Sequence, residues 1–349
     1  MNVQVLRGYY PIALTPFDQA GHILWSDLEG ECDLIARSGA HGLVWPVNDS
    51  ECTLLSFPER VEGFRRVVDA IGGRIPVVLG VADTSAAGAV ALAEKAANAG
   101  ASAVIAMPPW DVKLGLLAQI EGYYQAIADA AGVPVVVQNL GAPRGSDLSS
   151  RFIADLCERI PLVQYVKEER MPQADCLSEL LSLDCPDLKG VFSGGWTLTL
   201  VAAQRRGCAG VMRGSSVPEV GARIWHLMAQ GLEDEARQIE DLYVVLDRAK
   251  LAVQTLQGAK ELLVMRGIFA SSAMRCKTSP RNTSPRRLDE GLLHELRRGL
   301  DLLALYLIPS DAGPRFVGHP PDACIGTMPI RSQGAGSRMP CSEGGTCDH

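Results

Sequence analysis

Several features of membrane, secreted and nucleic-acid-binding proteins are missing from this sequence of 349 residues. It contains no apolar run long enough to cross a bilayer, and residues 1–10 lack the basic flank and apolar stretch of a signal peptide. We therefore expect a cytoplasmic protein with no membrane partner. The net charge is −7 and there is no basic stripe, which argues against nucleic acid as a partner.

The ten cysteines lack the spacing of metal ligands or of a disulfide framework. Cys341 and Cys347 have no closely spaced partners, which excludes a metal module near the C-terminus. We therefore expect neither a metal site nor disulfide bonds. We interpret the cysteines in the body of the chain as small buried apolar residues, namely Cys32, Cys52, Cys157, Cys176, Cys185 and Cys208.

Short apolar runs alternate with longer amphipathic stretches through most of the chain. The runs predict eight strands, at residues 9–14, 42–47, 75–81, 103–107, 133–137, 162–167, 190–193 and 209–212. A helix is predicted after each strand, at residues 26–37, 58–71, 85–99, 116–131, 149–159, 172–182, 197–206 and 219–230. This α/β pattern matches a (β/α)₈ TIM barrel in count and length. A doubly wound sheet is the alternative, because counting strands does not show closure.

The helical pattern continues beyond the eighth unit, at residues 232–252, 259–268 and 288–307. We therefore divide the chain into a barrel (1–230), a C-terminal helical region (231–307) and a tail (308–349). The tail is rich in Gly, Pro and Ser and has no periodic apolar pattern, so we predict that it is disordered. On the same grounds we predict a flexible loop at residues 278–287.

The predicted strand at residues 162–167 ends in Lys167, followed by Glu168 and Glu169. Barrel enzymes place their chemistry at the C-terminal tips of the strands. A lysine whose pKa is lowered by desolvation or by a neighbouring cation is an amine nucleophile toward ketones. For these residues taken alone, a surface salt bridge at a strand end is the competing interpretation.

Other predicted strands also end in polar residues. After the second strand, the small side chains and turn amides of Asn48, Asp49 and Ser50 predict a site for a carboxylate; an ordinary Asx turn that caps a helix is the alternative. In a barrel the remaining tips would converge on the same mouth. They carry Trp110, Gln138, Asn139, Ser193, Arg213 and Gly214.

Four motifs occur together between residues 8 and 303: Thr15-Pro16-Phe17, the turn at 48–51, Met-Pro-Pro-Trp at 107–110, and Lys167. In combination they resemble the dihydrodipicolinate synthase and N-acetylneuraminate lyase superfamily. The resemblance implies a (β/α)₈ barrel with a C-terminal helical region, commonly assembled as a homotetramer. It also implies that Lys167 forms a Schiff base with a 2-keto acid, so that no separate cofactor is expected.

The sequence departs from those synthases and lyases at their proton relay. Gln138 stands where the family usually has a tyrosine, Asn48-Asp49 replaces a Thr-Thr pair, and Trp110 replaces a second tyrosine. Pro143 stands where the synthase has an arginine for the second carboxylate of its substrate, with Arg144 one place later. The usual synthase relay therefore cannot operate here.

The chain more closely resembles the 2-keto-3-deoxy-arabonate dehydratase branch. That resemblance implies that the carboxylate two residues after the lysine, Glu169, acts as acid and base. It is carried by Gln138, by Lys167 with Glu169, by residues 48–51 and 107–110, and by Gly-x-Met-x-Gly at 210–214 followed by Pro218-Glu219.

Three functional hypotheses follow. The first is a Schiff-base lyase that dehydrates a small 2-keto-3-deoxy sugar acid, in which Arg213 contacts a substrate hydroxyl or a distal acid unless it is a solvent-facing loop residue. The second is an aldolase or synthase that uses the same lysine. The third is a catalytically inactive barrel that binds a metabolite, since the tyrosine relay is replaced. We expect a homo-oligomer, either a dimer or a tetramer.

Overall fold

A computed structural model describes residues 5–109, 117–141, 145–195, 197–252, 255–276, 279–283 and 288–309. These residues belong to one structural unit, Met1–Arg315. Trp110 and residues 310–349, which include nearly all of the predicted disordered tail, lie outside the described residues.

Eight parallel strands close into a barrel in chain order. The barrel closes where the first strand pairs with the eighth, with Gly8 opposite Gly210 and Ile12 opposite Gly214. Closure confirms the (β/α)₈ prediction and excludes the doubly wound sheet. The strands are β1 (Gly8–Ile12), β2 (Leu43–Trp45), β3 (Val77–Gly80), β4 (Ala103–Ala106), β5 (Val135–Asn139), β6 (Val163–Glu168), β7 (Gly190–Ser193) and β8 (Gly210–Gly214).

A helix follows each strand, as the amphipathic pattern predicts. Local caps set several of the boundaries: the Ser56 hydroxyl accepts from the amide of Glu59, and the Ser149 hydroxyl accepts from the amide of Phe152. The helices are α1 (Trp25–Arg37), α2 (Phe57–Ile71), α3 (Ala86–Ala99), α4 (Leu117–Ala131), α5 (Ser150–Arg159), α6 (Gln173–Ser182), α7 (Leu200–Arg205) and α8 (Pro218–Ala229).

Three further helices follow the barrel: α9 (Glu233–Ala252), α10 (Thr255–Met265) and α11 (Glu290–Leu302). Between α10 and α11, β9 (Arg275–Cys276) pairs antiparallel with β10 (Ser279–Thr283). The prediction of a loop was therefore wrong over residues 279–283, because local composition does not reveal a pairing partner.

Side chains along each strand alternate between the barrel interior and the layer of helices around it. At the N-terminal end of the interior, Tyr165 Oη accepts a hydrogen bond of 3.1 Å from the amide of Leu6. Lys167 lies two residues beyond Tyr165 on the same face of β6, which places it at the opposite, C-terminal mouth. The apolar interior below it is formed by Tyr10, Ile12, Val44, Val78, Ala103, Ile105, Val136, Tyr165, Phe192 and Met212.

Within the described residues, no helix has both the length and the apolar character needed to cross a bilayer. No group of three or more His, Cys, Asp or Glu side chains in that part of the chain is arranged to hold a metal ion. The cysteines of the barrel are free thiols, buried except for Cys176, which is partly buried. The interpretation of most of them as small buried apolar residues is confirmed.

Candidate active site

The C-terminal mouth of the barrel contains a buried lysine paired with a carboxylate. Lys167, the fifth residue of β6, is 2% exposed, and its Nζ lies 3.0 Å from Oε1 of Glu169. Glu169 directly follows β6 and is held by its amide, which donates to the carbonyl of Asn139 at 2.9 Å. The competing interpretation of Lys167 as a surface salt bridge is wrong, because the amine is buried inside the barrel.

Gln138 completes this group from the neighbouring strand. It lies opposite Lys167 in the pairing of β5 with β6, and its Nε2 donates to Oε2 of Glu169 at 2.7 Å. One oxygen of Glu169 therefore faces the amine and the other faces an amide donor. The structure brings together Lys167, Glu169 and Gln138, the three residues predicted to be catalytic.

Gly194 closes the third side of the group. A Cβ atom at this position would lie 2.5 Å from Cε of Lys167 and 2.6 Å from Cγ of Glu169, far closer than van der Waals contact. The missing side chain therefore makes room for both functional groups at the tip of β7.

We expect Gly194→Ala to slow the reaction of Lys167 with a 2-keto acid at least about ten-fold, because displacing reacting groups by about 1 Å has large costs. The rate of adduct formation with pyruvate under borohydride, followed by intact mass, measures this. Gly30→Ala in α1 is the matched control, since a Cβ there has no neighbour within 4 Å. Equal rates for Gly194→Ala and wild type would show that the close approach has no functional role.

Asn139 and Glu168 face the helix layer rather than the mouth. The Asn139 amide group donates to the carbonyl of Leu148 and to Glu168, both at 2.9 Å, and its Oδ1 accepts from the amide of Leu148. Burial raises the pKa of Glu168, and Arg170 opposes this shift. The prediction that Asn139 binds substrate is therefore corrected: Asn139 ties β5 to β6 behind the site.

The predictions that Ser193 and Arg213 bind substrate are also corrected, because alternation along the strands points both side chains away from the mouth. Their neighbours Phe192 and Met212 fill the barrel interior, so the next residue along each strand points outward. The Ser193 hydroxyl accepts from Gln173 Nε2 at 3.0 Å. Arg213 is 5% exposed and donates to Asp247 of α9 at 2.7 Å, so it is neither in the mouth nor a solvent-facing loop residue.

The turn after β2 lies at the C-terminal end of that strand, the end at which the barrel mouth is formed. Asn48 and Asp49 are partly exposed, whereas Ser50 is fully buried. The Ser50 hydroxyl donates to the carbonyl of Ala13 at 2.6 Å, which commits it to holding the turn against the segment that follows β1. Any carboxylate bound here would therefore contact the turn amides and residues 48–49. Gly214 is the last residue of β8 and occupies a position that faces the barrel interior, where it can offer only backbone atoms to a ligand.

Sequence reasoning missed a set of buried charges beside the mouth. Glu31 of α1 is fully buried; it accepts from the amide of Leu14 and from the hydroxyl of Ser215. Lys260 of α10 is fully buried against Glu51. A charged residue in an amphipathic helix is ordinarily solvated, so only the packing of these helices on the barrel reveals the pairing.

Burial raises the pKa of Glu31 to about 8, well above the 4.5 of an unfolded glutamate. Between those values the folded protein keeps a proton that the unfolded chain has lost, so the free energy of unfolding falls as pH rises from about 4.5 to 8. This group contributes a slope of at most about 1.4 kcal/mol per pH unit. We expect Glu31→Gln to remove that slope, measured by urea unfolding at pH 5, 6, 7 and 8. Parallel stability profiles for variant and wild type would contradict this assignment.

Two known proteins are similar in sequence to more than two thirds of this chain. The chain is 28% identical over 271 residues to L-2-keto-3-deoxyarabonate dehydratase of Azospirillum brasilense, covering 77% of this chain and 87% of that protein. It is 30% identical over 244 residues to 4-hydroxy-tetrahydrodipicolinate synthase of Persephonella marina, covering 68% and 80%.

Solved structures share the fold. A prophage protein of the dihydrodipicolinic acid synthase family from E. coli K12, solved in complex with pyruvate, superposes with a TM-score of 0.76 at 21% identity, covering 86% of this chain and all of that one. The model of the dihydrodipicolinate synthetase family matches residues 5–289, and the family and its relatives indicate a lyase. This chain therefore belongs to the dihydrodipicolinate synthetase family.

Proposed function

We propose that this protein is a Schiff-base-forming lyase that dehydrates a small 2-keto-3-deoxy sugar acid. The observation that carries the proposal is the buried Lys167 amine, 3.0 Å from the Glu169 carboxylate, whose other oxygen is held at 2.7 Å by Gln138. A nucleophile beside a base that is itself oriented by a third group is the arrangement required for covalent catalysis. Similarity to the Azospirillum brasilense dehydratase supports the choice of substrate class.

The first half of the reaction forms a covalent imine. Glu169 accepts a proton from the Lys167 ammonium, and the neutral amine adds to the C2 ketone of the substrate. Glu169 returns this proton to the carbinolamine hydroxyl, which leaves as water, and the protonated imine that remains links Lys167 to C2. This iminium withdraws electrons from C3, so that the C3–H bond becomes acidic. No separate cofactor is needed, because the iminium itself accepts the electron pair.

The second half eliminates water. Glu169 removes a C3 proton and gives an enamine, and the resulting carboxylic acid returns that proton to the C4 hydroxyl as the C4–O bond breaks. The enamine electron pair forms the C3–C4 double bond and regenerates the iminium. Loss of a C5 proton from this conjugated iminium gives an enol, which takes up protons at C3 and C4 as the C5 hydroxyl loses its proton and becomes an aldehyde carbonyl. Hydrolysis of the imine then releases the semialdehyde and frees Lys167. One carboxylate therefore serves as both base and acid.

Gln138 favours elimination over carbon–carbon cleavage. A retro-aldol step requires a base to deprotonate the C4 hydroxyl, whereas elimination requires an acid to protonate it. Gln138 has a neutral amide that neither accepts nor delivers a proton at neutral pH. It donates to Glu169, which leaves that residue as the proton carrier nearest to Lys167.

The deciding experiment incubates the protein with 2-keto-3-deoxy-arabonate, with and without borohydride. We expect a trapped adduct that maps to Lys167 and, without reductant, a released semialdehyde that has lost one water. Release of pyruvate and an aldehyde would identify an aldolase instead. Absence of an adduct with this substrate, pyruvate or 2-oxobutyrate would refute the mechanism and favour an inactive metabolite-binding barrel.

The assembly state forms a separate part of the proposal. We propose that the protein functions as a homo-oligomer, either a dimer or a tetramer. Its only proposed small-molecule partner is the 2-keto acid substrate. Sedimentation velocity of the purified protein distinguishes these states from a monomer.

A further inference from the structure

Helix α10 holds a buried ammonium group against the turn that follows β2. Lys260, in the middle of α10, is fully buried, and its Nζ forms an ion pair with a carboxylate oxygen of Glu51. The same Nζ donates to the carbonyl of Ala273 at 3.0 Å and lies 4.6 Å from the ring centroid of Phe17. A charge this deeply buried requires such partners, so the pair fixes the distance between α10 and the turn.

Glu51 is the last residue of that turn, and its backbone is constrained. It adopts a left-handed φ of 56°, which is unfavourable for a residue with a Cβ atom. Its amide donates to the carbonyl of Asn48 at 3.0 Å, and Oε1 of its carboxylate accepts from the amide of Arg275 at 3.1 Å. The strained residue is therefore held at both its backbone and its side chain.

The opposite side of the turn is tied to the segment that follows β1. Ser50 donates to the carbonyl of Ala13, and the Thr15 hydroxyl donates to the carbonyl of Ser50, both at 2.6 Å. Asn48 and Asp49 lie between these two attachments and are partly exposed. As the first residues of a 3₁₀ turn, they have amides without acceptors inside that turn.

We propose that the Glu51–Lys260 ion pair is a positioning device that fixes the turn at residues 48–50, so that the amides of Asn48 and Asp49 bind the C1 carboxylate of the 2-keto acid. This inference rests on the proposed function. Besides holding the turn, Lys260 offsets the negative charge of Glu51, which would otherwise repel an anion bound at the adjacent residues. The C-terminal helical region thereby takes part in substrate binding without touching the substrate.

The test removes both charges together, because removing one partner leaves a buried charge unpaired and risks unfolding. We expect the double variant Glu51→Gln/Lys260→Met to raise the pyruvate concentration that gives half-maximal borohydride adduct about ten-fold. The plateau of adduct at Lys167 should not change. Amide hydrogen exchange in peptides that cover residues 47–54 should become faster, which reports on the turn without any Schiff-base chemistry.

The matched control is Glu219→Gln/Arg266→Met. This pair is also buried, with both side chains 5% exposed, and it attaches the end of α10 to α8 instead of to the turn. We expect the control to lower the free energy of unfolding, because it also removes a buried ion pair. The pyruvate concentration for half-maximal adduct and the rate of amide exchange in residues 47–54 should stay within about two-fold of wild type, because this pair does not contact the turn.

The outcomes separate the inference from the proposed function. Wild type that gains no adduct with pyruvate or 2-oxobutyrate refutes the proposed function, and the carboxylate role of the turn fails with it. Wild type that forms the adduct, beside a folded Glu51→Gln/Lys260→Met variant with unchanged half-saturation, overturns only the positioning role. Unchanged hydrogen exchange in residues 47–54 of that variant overturns it as well.

Discussion

Lys167→Arg is expected to abolish borohydride-trapped adducts with pyruvate and to reduce turnover below detection. The guanidinium group keeps the positive charge beside Glu169, but it is not deprotonated at any working pH and does not form an imine with a ketone. Because the charge is kept, Glu169 retains a cationic partner and the fold should survive, which circular dichroism and thermal unfolding would check. Intact mass before and after borohydride gives the result directly.

Lys189→Arg is the matched control for this prediction. Lys189 precedes β7, its side chain is 47% exposed, and it donates to the carbonyl of Pro186, so the change should leave adduct formation intact. The other buried lysines of the described chain, Lys250 and Lys260, are paired with Asp247 and Glu51 outside the barrel interior. An adduct that persists in Lys167→Arg and maps to either lysine would show that the wrong amine had been chosen.

Glu169→Gln is expected to lower kcat by about two to four orders of magnitude while the adduct with pyruvate still forms. The amide keeps the shape of the side chain but removes the only proton acceptor within 3.0 Å of the Lys167 amine among the described residues. Imine formation is expected to slow as well, because Glu169 also accepts the Lys167 proton, but borohydride accumulates the adduct that forms. Removal of the C3 proton is the step that stops turnover. Exchange of the pyruvate methyl protons in deuterium oxide, followed by nuclear magnetic resonance, measures that step without requiring the natural substrate.

Glu168→Gln separates proton transfer from structural support. Glu168 is fully buried one residue away, and it faces Asn139 and Arg170 instead of the mouth. We expect this variant to be less stable, because Arg170 loses a charged partner, and to exchange the methyl protons at a rate near that of wild type. If Glu168→Gln stopped the exchange of the methyl protons and Glu169→Gln did not, Glu168 would be the base and Glu169 the structural residue.

The sequence by itself determined the fold class and identified the three residues that we propose to be catalytic. Eight apolar runs with eight amphipathic stretches already predict a barrel, since strand and helix periodicities are local properties of the chain. Lys167, Glu169 and Gln138 could also be predicted from the sequence. A charged residue that closes an apolar run is a local anomaly, and barrel topology requires that strand tips share one mouth. Closure itself depended on the pairing of β1 with β8, which no local pattern contains.

Only the tertiary structure decided which of the neighbouring polar residues face the substrate. Asn139, Ser193 and Arg213 each stand at a strand tip, yet strand alternation directs them to the helix layer, where they bind Glu168, Gln173 and Asp247. The phase of that alternation is fixed by which residues fill the closed interior. Strand counting locates a tip only to within a residue or two, and an error of one residue reverses the direction of every side chain.

The buried ion pairs also required the assembled molecule. Glu51 and Lys260 are separated by 209 positions in the chain and meet only because α10 folds back onto the barrel mouth. Glutamate and lysine are residue types that ordinarily lie at the solvated surface, so neither position by itself predicts burial. Their burial is a property of the packed state, because a charge leaves water only when its partner is already placed to receive it.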